Sequence, residues 1–451
     1  MAMSEGEQSR QREMWIETDA LVKAPGHPFY RRLNQLLRQH GFDAHVCAQC
    51  EKFYAETGRP SVPPPVYFRM LMIGYFEGLD SERGIAWRCE DSLSLREFLG
   101  YGLNEHTPDH STLSRIRQRI DRETHQEILN WALKALAQED LISGKTVGVD
   151  ATTLEANAAL RSIVRRDTGE KYDEFLTRLA KESGIETPTR EDLARLDKHR
   201  KNKGNNDDWQ NPHDPDAQIT KMKDGRTHLA HKAEHAVDMD SGAVLAVTLQ
   251  GAVTGDTTSV TETFGAALEN LNAVHAEPQA GEHLHPRWGE ELVADKGYHS
   301  NETTSDFSAM EVRTYISEPA RGRRNWEDKA DARKAVYANR RRIKGTRGKR
   351  LLRRRGELIE RSFAHCYETG AMRRTHLRGH ANILKRLLIH VAAFDLSLIL
   401  RNLIGVGTPR ELANAAKSII FGVFAVMGVH AAGYHRRERE TQIERSLSAA
   451  A

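Results

Sequence analysis

Three carboxylates occupy three distinct settings in this chain: Asp150 in KTVGVDATTLEANA, Asp295 in ELVADKGYHS, and Glu360 in RRRGELIERSFAHC. The first two close short apolar runs, Thr146 to Val149 and Leu292 to Ala294, that read as buried strands. The third lies in a basic stretch that reads as helix. Three carboxylates on separate rigid elements are what a pair of hard divalent cations needs. Such ions take oxygen ligands, keep several waters, and can stabilise both the entering and the leaving oxygen of an in-line displacement at phosphorus. Each residue taken alone has a plainer reading. Asp150 can cap the turn after a strand, and Asp295, close to Gly297, suits a tight turn. Glu360 can be a solvated helix residue beside Arg361, and Glu357, one turn earlier, is its rival.

Charge is unevenly spread. Between Arg321 and Arg378 there are 20 Lys/Arg against 6 Asp/Glu, a surplus of 14, so the remainder carries −11 to give the net +3 of the chain. A concentrated basic block beside an acidic body points to a polyanion partner, the plainer reading being a solvated arm. With 451 residues, 29% charged and 39% hydrophobic, the chain suits two or three domains with a sizeable core. Four cysteines fit a reducing cytoplasm. Cys47 and Cys50 form a CxxC, but no second ligand pair follows at zinc spacing, so a zinc module is not expected. The start is polar, without a secretory pattern, and the apolar run Ile419 to Val429 is about half of what a membrane span requires.

These residues must be positioned by elements that the pattern also outlines. Residues 1 to about 140 read as helical. One helix follows the prolines before Val66, a second covers Ser81 to Cys89, and a third is capped by Asp109 or Ser111 and carries Arg115, Arg117 and Arg119. Short helices ending in a basic one suit either a helix-turn-helix-like unit or a plain bundle with a solvated basic face. From Lys145 the pattern changes to a strand ending at Asp150, a polar insertion over about 160 to 228, and a hairpin over His235 to Val247 turning at Asp240 to Gly242. A helix after Gly255, the strand into Asp295, a strand over Val312 to Ile316 and the helix with Glu360 complete the order.

Several of these words resemble one family. VGVDATTLEAN, VADKGYHS, Glu360-Arg361-Ser362-Phe363 and the later Arg378-Gly379-His380-Ala381-Asn382, together with the stretch from Asp214 to Gly225, resemble the DDE transposases of bacterial insertion sequences. The likeness spans roughly residues 30 to 405. It implies a ribonuclease-H-like core in which Asp150, Asp295 and Glu360 are catalytic and bind two Mg²⁺ ions, or Mn²⁺. The DHSTLSRIRQRI region, with Arg115 and Arg119, would bind transposon ends. The chain departs from relatives that place Tyr and Arg seven and four residues before the glutamate and Lys seven after it, since Arg353, Gly356 and Tyr367 stand there. This leaves open whether cleavage passes through a DNA hairpin.

The expected architecture is therefore α+β and multidomain. A helical N-terminal domain (1–140) precedes a ribonuclease-H-like mixed sheet flanked by helices (141–405, with an insertion at 160–228) and a helical tail (406–451). The basic block, namely Arg321, Arg323, Arg324, Arg340 to Arg342, Lys344, Arg347, Lys349, Arg350 and Arg353 to Arg355, together with Arg361, would contact DNA phosphates. Such contacts give salt-dependent affinity rather than sequence choice. Lys296 and Tyr298 either orient the scissile strand or serve the turn and its packing. Trp326 either stacks on an unpaired base or packs in the core. Double-stranded DNA is the expected partner, and at least a homodimer is expected to hold two ends. The rivals are a nuclease of the same fold without strand transfer and an inactive DNA-binding regulator.

Overall fold

A computed structural model describes residues 26–415 apart from 56, 58–60, 201, 202, 223, 321 and 323. The N-terminal region is helical: α1 (Pro28–Gln39), α2 (Phe42–Cys50), α3 (Pro64–Glu77), α4 (Glu82–Asp91), α5 (Leu93–Leu99), α6 (His110–Arg119) and α7 (Arg122–Gln138). The starts are set by residues suited to satisfying orphan N–H groups. Ser81 accepts from the Gly84 amide, Asp109 from Thr112 at 2.7 Å and Asp121 from Thr124 at 2.8 Å. Asp109, not Ser111, is thus the cap of α6. Its Arg115 is exposed and hydrogen-bonds back to Ser111 and Thr112, while Arg119 lies over the Tyr54 ring.

The remainder is a mixed sheet with helices on both faces. Its elements are β1 (Thr146–Glu155), β2 (Val164–Arg165), α8 (Tyr172–Glu182), α9 (Arg190–His199), β3 (Trp209–Gln210), β4 (Gln218–Lys221), β5 (Thr227–Asp238) and β6 (Val244–Gly251). They continue with α10 (Asp256–His275), α11 (Pro278–Gly281), β7 (Glu291–Ala294), α12 (Asn301–Ala309), β8 (Arg313–Ile316), α13 (Ala330–Lys344), α14 (Thr346–Phe363) and α15 (His380–Ile404). β5 carries β6 and β4 on one edge and β1 on the other, all antiparallel. β7 and β8 then extend the sheet parallel to β1. Both faces are covered, so even the polar His231, Lys232, Glu234 and His235 of central β5 are buried.

β1 continues to Glu155, so Asp150 lies in mid-strand rather than at its end as the sequence suggested. The extra length is paired along its whole course with β5, from Val147–Asp238 to Glu155–Ala230. The insertion between β1 and β4 holds α8, α9 and the small β2–β3 pair. It has its own apolar cluster of Ala156, Ile163, Trp209, Ala217, Ile219 and Leu229.

One hydrophobic cluster runs from α1 through α15 without a break between the helical region and the sheet. α15 forms its spine. Its window is long and apolar enough to cross a membrane by composition, yet 72% of that window is buried within the protein. The apolar run Ile419 to Val429 lies outside the described residues.

Candidate active site

β1 and β7 are parallel, with Val147 beside Leu292 and Gly148 beside Val293. Continued by two residues, that register sets Asp295 beside Asp150. Asp295 leaves the strand as the cap of a single 3₁₀ turn, its Oδ1 accepting the Gly297 amide at 2.5 Å. Asp150 is half-buried. Burial pushes its carboxyl above the ordinary value, the Arg355 guanidinium opposes that shift, and the charge of Asp295 adds to it. The two aspartates are therefore close enough to repel.

Glu360 comes from α14, which crosses the sheet over β1. Gly148 permits this approach, because a Cβ there would lie 3.3 Å from Ile359 Cδ1 and 2.6 Å from Met239 Sδ. Glu360 is exposed, and among the described residues its carboxylate has no hydrogen-bond or ion-pair partner. The rival Glu357 is engaged by Arg361 at 3.1 Å. α14 continues directly into a π-helical turn, Ala364–Thr369, a local widening that is frequent at functional sites.

The donor chemistry fits a hard divalent cation. Two mutually repelling aspartates and one unpaired glutamate offer only oxygen ligands, to be held by rigid strand and helix positions. The set is not gathered, however. Among the described residues no three His, Cys, Asp or Glu side chains converge as a metal site. Arg355 of α14 instead contacts Asp150, Nη1 to Oδ2 at 2.5 Å. Cys47 is exposed and Cys50 buried on α2.

Helical periodicity sorts the basic block. Arg341, Lys344, Lys349, Arg350 and Arg353 are exposed. Arg324 turns inward to Glu318 at 2.7 Å and Asn301 at 2.9 Å, and Arg340 forks onto Glu318. Arg342 bonds Thr314, and Arg347, though partly exposed, pairs with Glu291 at 2.5 Å. These contacts tie α13 and α14 to the sheet and its loops, while the side chain of Arg347 also stays exposed. Arg361 is exposed beside Glu357. Arg321 and Arg323 lie outside the described residues. Lys296 is exposed, whereas Tyr298 is buried and donates to Glu234 at 2.7 Å. Trp326 is only half-buried, against Tyr337 and Arg324.

Two supports went unseen in the sequence. On the α14 face, His235 is the cross-strand partner of Asp150 and bonds Ser362 at 2.9 Å and Tyr367 at 2.6 Å. It thereby joins β5, the strand paired with that of Asp150, to the helix of Glu360. On the α10 face, buried Glu234 accepts from Tyr298, Ser259 and Thr263, while Lys232 bonds Asp256 at 2.7 Å. A Cβ on Gly297 would lie 2.5 Å from Asp256 Oδ2 and 3.1 Å from Asp295 Oδ1, so a larger residue there would push on both carboxylates. The HAVD word of β5 carried a signal for the first support, since a histidine inside a buried apolar strand must find partners.

No curated protein and no solved structure matches the chain. Residues 16–119 match the family model described as a transposase domain (DUF772), so α1 to α6 lie in a transposase-family domain, which supports a transposase role for the protein.

Proposed function

We propose that the protein is a DNA transposase in which Asp150, Asp295 and Glu360 hold two Mg²⁺ ions, with Mn²⁺ able to replace them. The observation that carries this reading is the placement of Asp150 and Asp295 on adjacent parallel strands beneath a helix with an unpaired glutamate. Apart from the short edge strand β4, the order β6-β5-β1-β7-β8, with antiparallel pairing from β6 to β1 and parallel pairing from β1 to β8, supports a ribonuclease-H-like core. When bound, the two ions would polarise the scissile phosphate and neutralise charge on the entering and leaving oxygens. The chain's own part is to orient. β1, β7 and α14 fix the three carboxylates, His235 fixes α14 against β5, the neighbour of β1, and the exposed cations of α13 and α14 hold backbone phosphates.

Water attacks phosphorus at the transposon end, the bond to the 3′ oxygen breaks, and that oxygen leaves as a 3′ hydroxyl. The hydroxyl then attacks a target phosphodiester, forming a new ester bond and displacing the target's own 3′ oxygen. The helical N-terminal region recognises the ends, and at least two copies hold both ends together.

The test is cleavage and joining of labelled DNA carrying the element's ends, in Mg²⁺, with wild type and single variants. Asp150→Ala, Asp295→Ala and Glu360→Ala should still bind DNA but lose cutting by at least about a thousandfold, as expected when preorganised charge stabilisation is removed. Glu357→Ala should cut. An inactive Glu357→Ala beside an active Glu360→Ala would reassign the third carboxylate. Cutting without joining would make the protein a nuclease, and binding without either would make it a regulator.

A further inference from the structure

The contact between Arg355 and Asp150 joins residues 205 apart in the chain, with side-chain exposures of 14% and 28%. The stem of Arg355 lies over Gly148, where an added Cβ would meet its Cγ at 3.5 Å. The guanidinium is therefore seated at the aspartate by the same close approach that brings α14 to β1. Its hydrogen bonding is incomplete, since Nε is buried without a partner among the described residues. The neighbouring inward arginines differ. Arg340 places two nitrogens on Glu318, and Arg342 places two on Thr314. A guanidinium with an orphaned buried donor gives up stability that a fully satisfied one would keep.

The two partners compete for Asp150. A divalent cation on its carboxylate would repel the guanidinium at short range and weaken its contact with Oδ2. On the same turn, though on other faces of α14, Arg353 and Arg354 are exposed, so cations that can meet a backbone phosphate lie next to Arg355 in the chain.

We propose that Arg355 is a latch, which holds Asp150 while no DNA is bound and passes to a backbone phosphate when DNA arrives, freeing the carboxylate for a divalent cation. The inference rests on Asp150 being a cation ligand. It makes DNA and cation bind cooperatively, and by linkage the coupling is reciprocal. The unloaded enzyme is thereby kept from assembling a cutting centre away from its substrate.

The experiment measures Mn²⁺ binding by the loss of the free-ion EPR signal, for wild type, Arg355→Gln, Asp150→Asn and the double variant, with circular dichroism as the check on folding. Each protein is titrated alone and with a short random-sequence duplex. Arg355→Gln alone should bind Mn²⁺ about fivefold or more tightly than wild type, the lower range of typical coupling energies. Asp150→Asn should abolish that gain. The duplex should tighten Mn²⁺ binding to wild type and leave Arg355→Gln unchanged. Arg355→Lys keeps the stem over Gly148 without the fork. It carries the same expectation at smaller size if the glutamine variant does not fold. If binding depends on Asp150 yet Arg355→Gln binds no better than wild type, the latch is wrong and the cation reading stands. If neither wild type nor Arg355→Gln shows any binding that depends on Asp150, both fall.

Discussion

His235 shows how much one buried side chain does at this site. Both ring nitrogens are engaged, by Ser362 and Tyr367, and the ring packs against Phe363. Burial pushes its pKa down to about 3, against about 6.5 in an unfolded chain. As pH falls, the unfolded state takes the proton first. The stabilising contribution of His235 is therefore complete above about 6.5 and is lost progressively towards about 3, at up to about 1.4 kcal/mol per pH unit. Urea unfolding of wild type followed between these limits should show stability falling with acid. His235→Gln should show a shallower dependence, by close to one proton. An unchanged slope would mean that the ring is not held neutral in the folded protein. His125, pushed down to about 4 by burial, contributes in the same sense and remains in both proteins.

At the scale of elements, the proposed function gives the basic block of α13 and α14 two jobs. Cations that face solvent can meet phosphates, and those that face the sheet anchor the helices. Replacing Lys349, Arg350 and Arg353 by Gln should lower the slope of log K against log salt for duplex DNA by about 0.9 for each phosphate that is no longer neutralised. Arg347→Gln should leave that slope nearly unchanged and lower the unfolding midpoint instead, because it strips the cationic partner from buried Glu291 and leaves it only the hydroxyls of Thr146 and Tyr315. A full slope change for Arg347→Gln would place its guanidinium on DNA rather than on the sheet. The block itself was legible as charge in the sequence, but its division was not. Periodicity says which residues share a helix face, while the identity of the inward face depends on Glu291, Thr314 and Glu318, which lie on other elements. The carboxylates divide likewise. Asp295 at the end of β7 and the helix of Glu360 could be read from apolar runs and basic helical pattern. The mid-strand place of Asp150 could not, because β1 continues through polar Thr152 and Thr153 only by pairing with β5. The Arg355 contact with Asp150 depends on how α14 docks, which no local pattern encodes.

At the scale of the molecule, the helical region and the sheet are expected to unfold together, because α15 belongs to both. Towards the N-terminal helices it sends Lys385 to the Arg117 carbonyl at 3.0 Å and the buried Arg386 to the Leu79 carbonyl. Towards the sheet, buried Asp395 accepts the Val244 amide at 2.9 Å, and His390 bonds the Gly370 carbonyl at the end of the π turn. Gly74 on α3 is the closest point of this packing. A Cβ there would stand 2.1 Å from Arg386 Nη2 and 2.8 Å from Ile85 Cδ1. Gly74→Ala should therefore overpack this point and cost about 1–3 kcal/mol. Native-state hydrogen exchange distinguishes one cooperative unit from two. In one unit, the slowest amides of α7 and of β1 and β5 lose the same free energy of protection, although Gly74 touches neither strand. Loss confined to α3 and α7 would mean that the helical region opens alone and that α15 is a hinge rather than a spine. The sequence places Gly74 far from the acidic residues. A shared loss would make the packing that holds the N-terminal helices against the sheet part of what keeps Asp150, Asp295 and Glu360 in register.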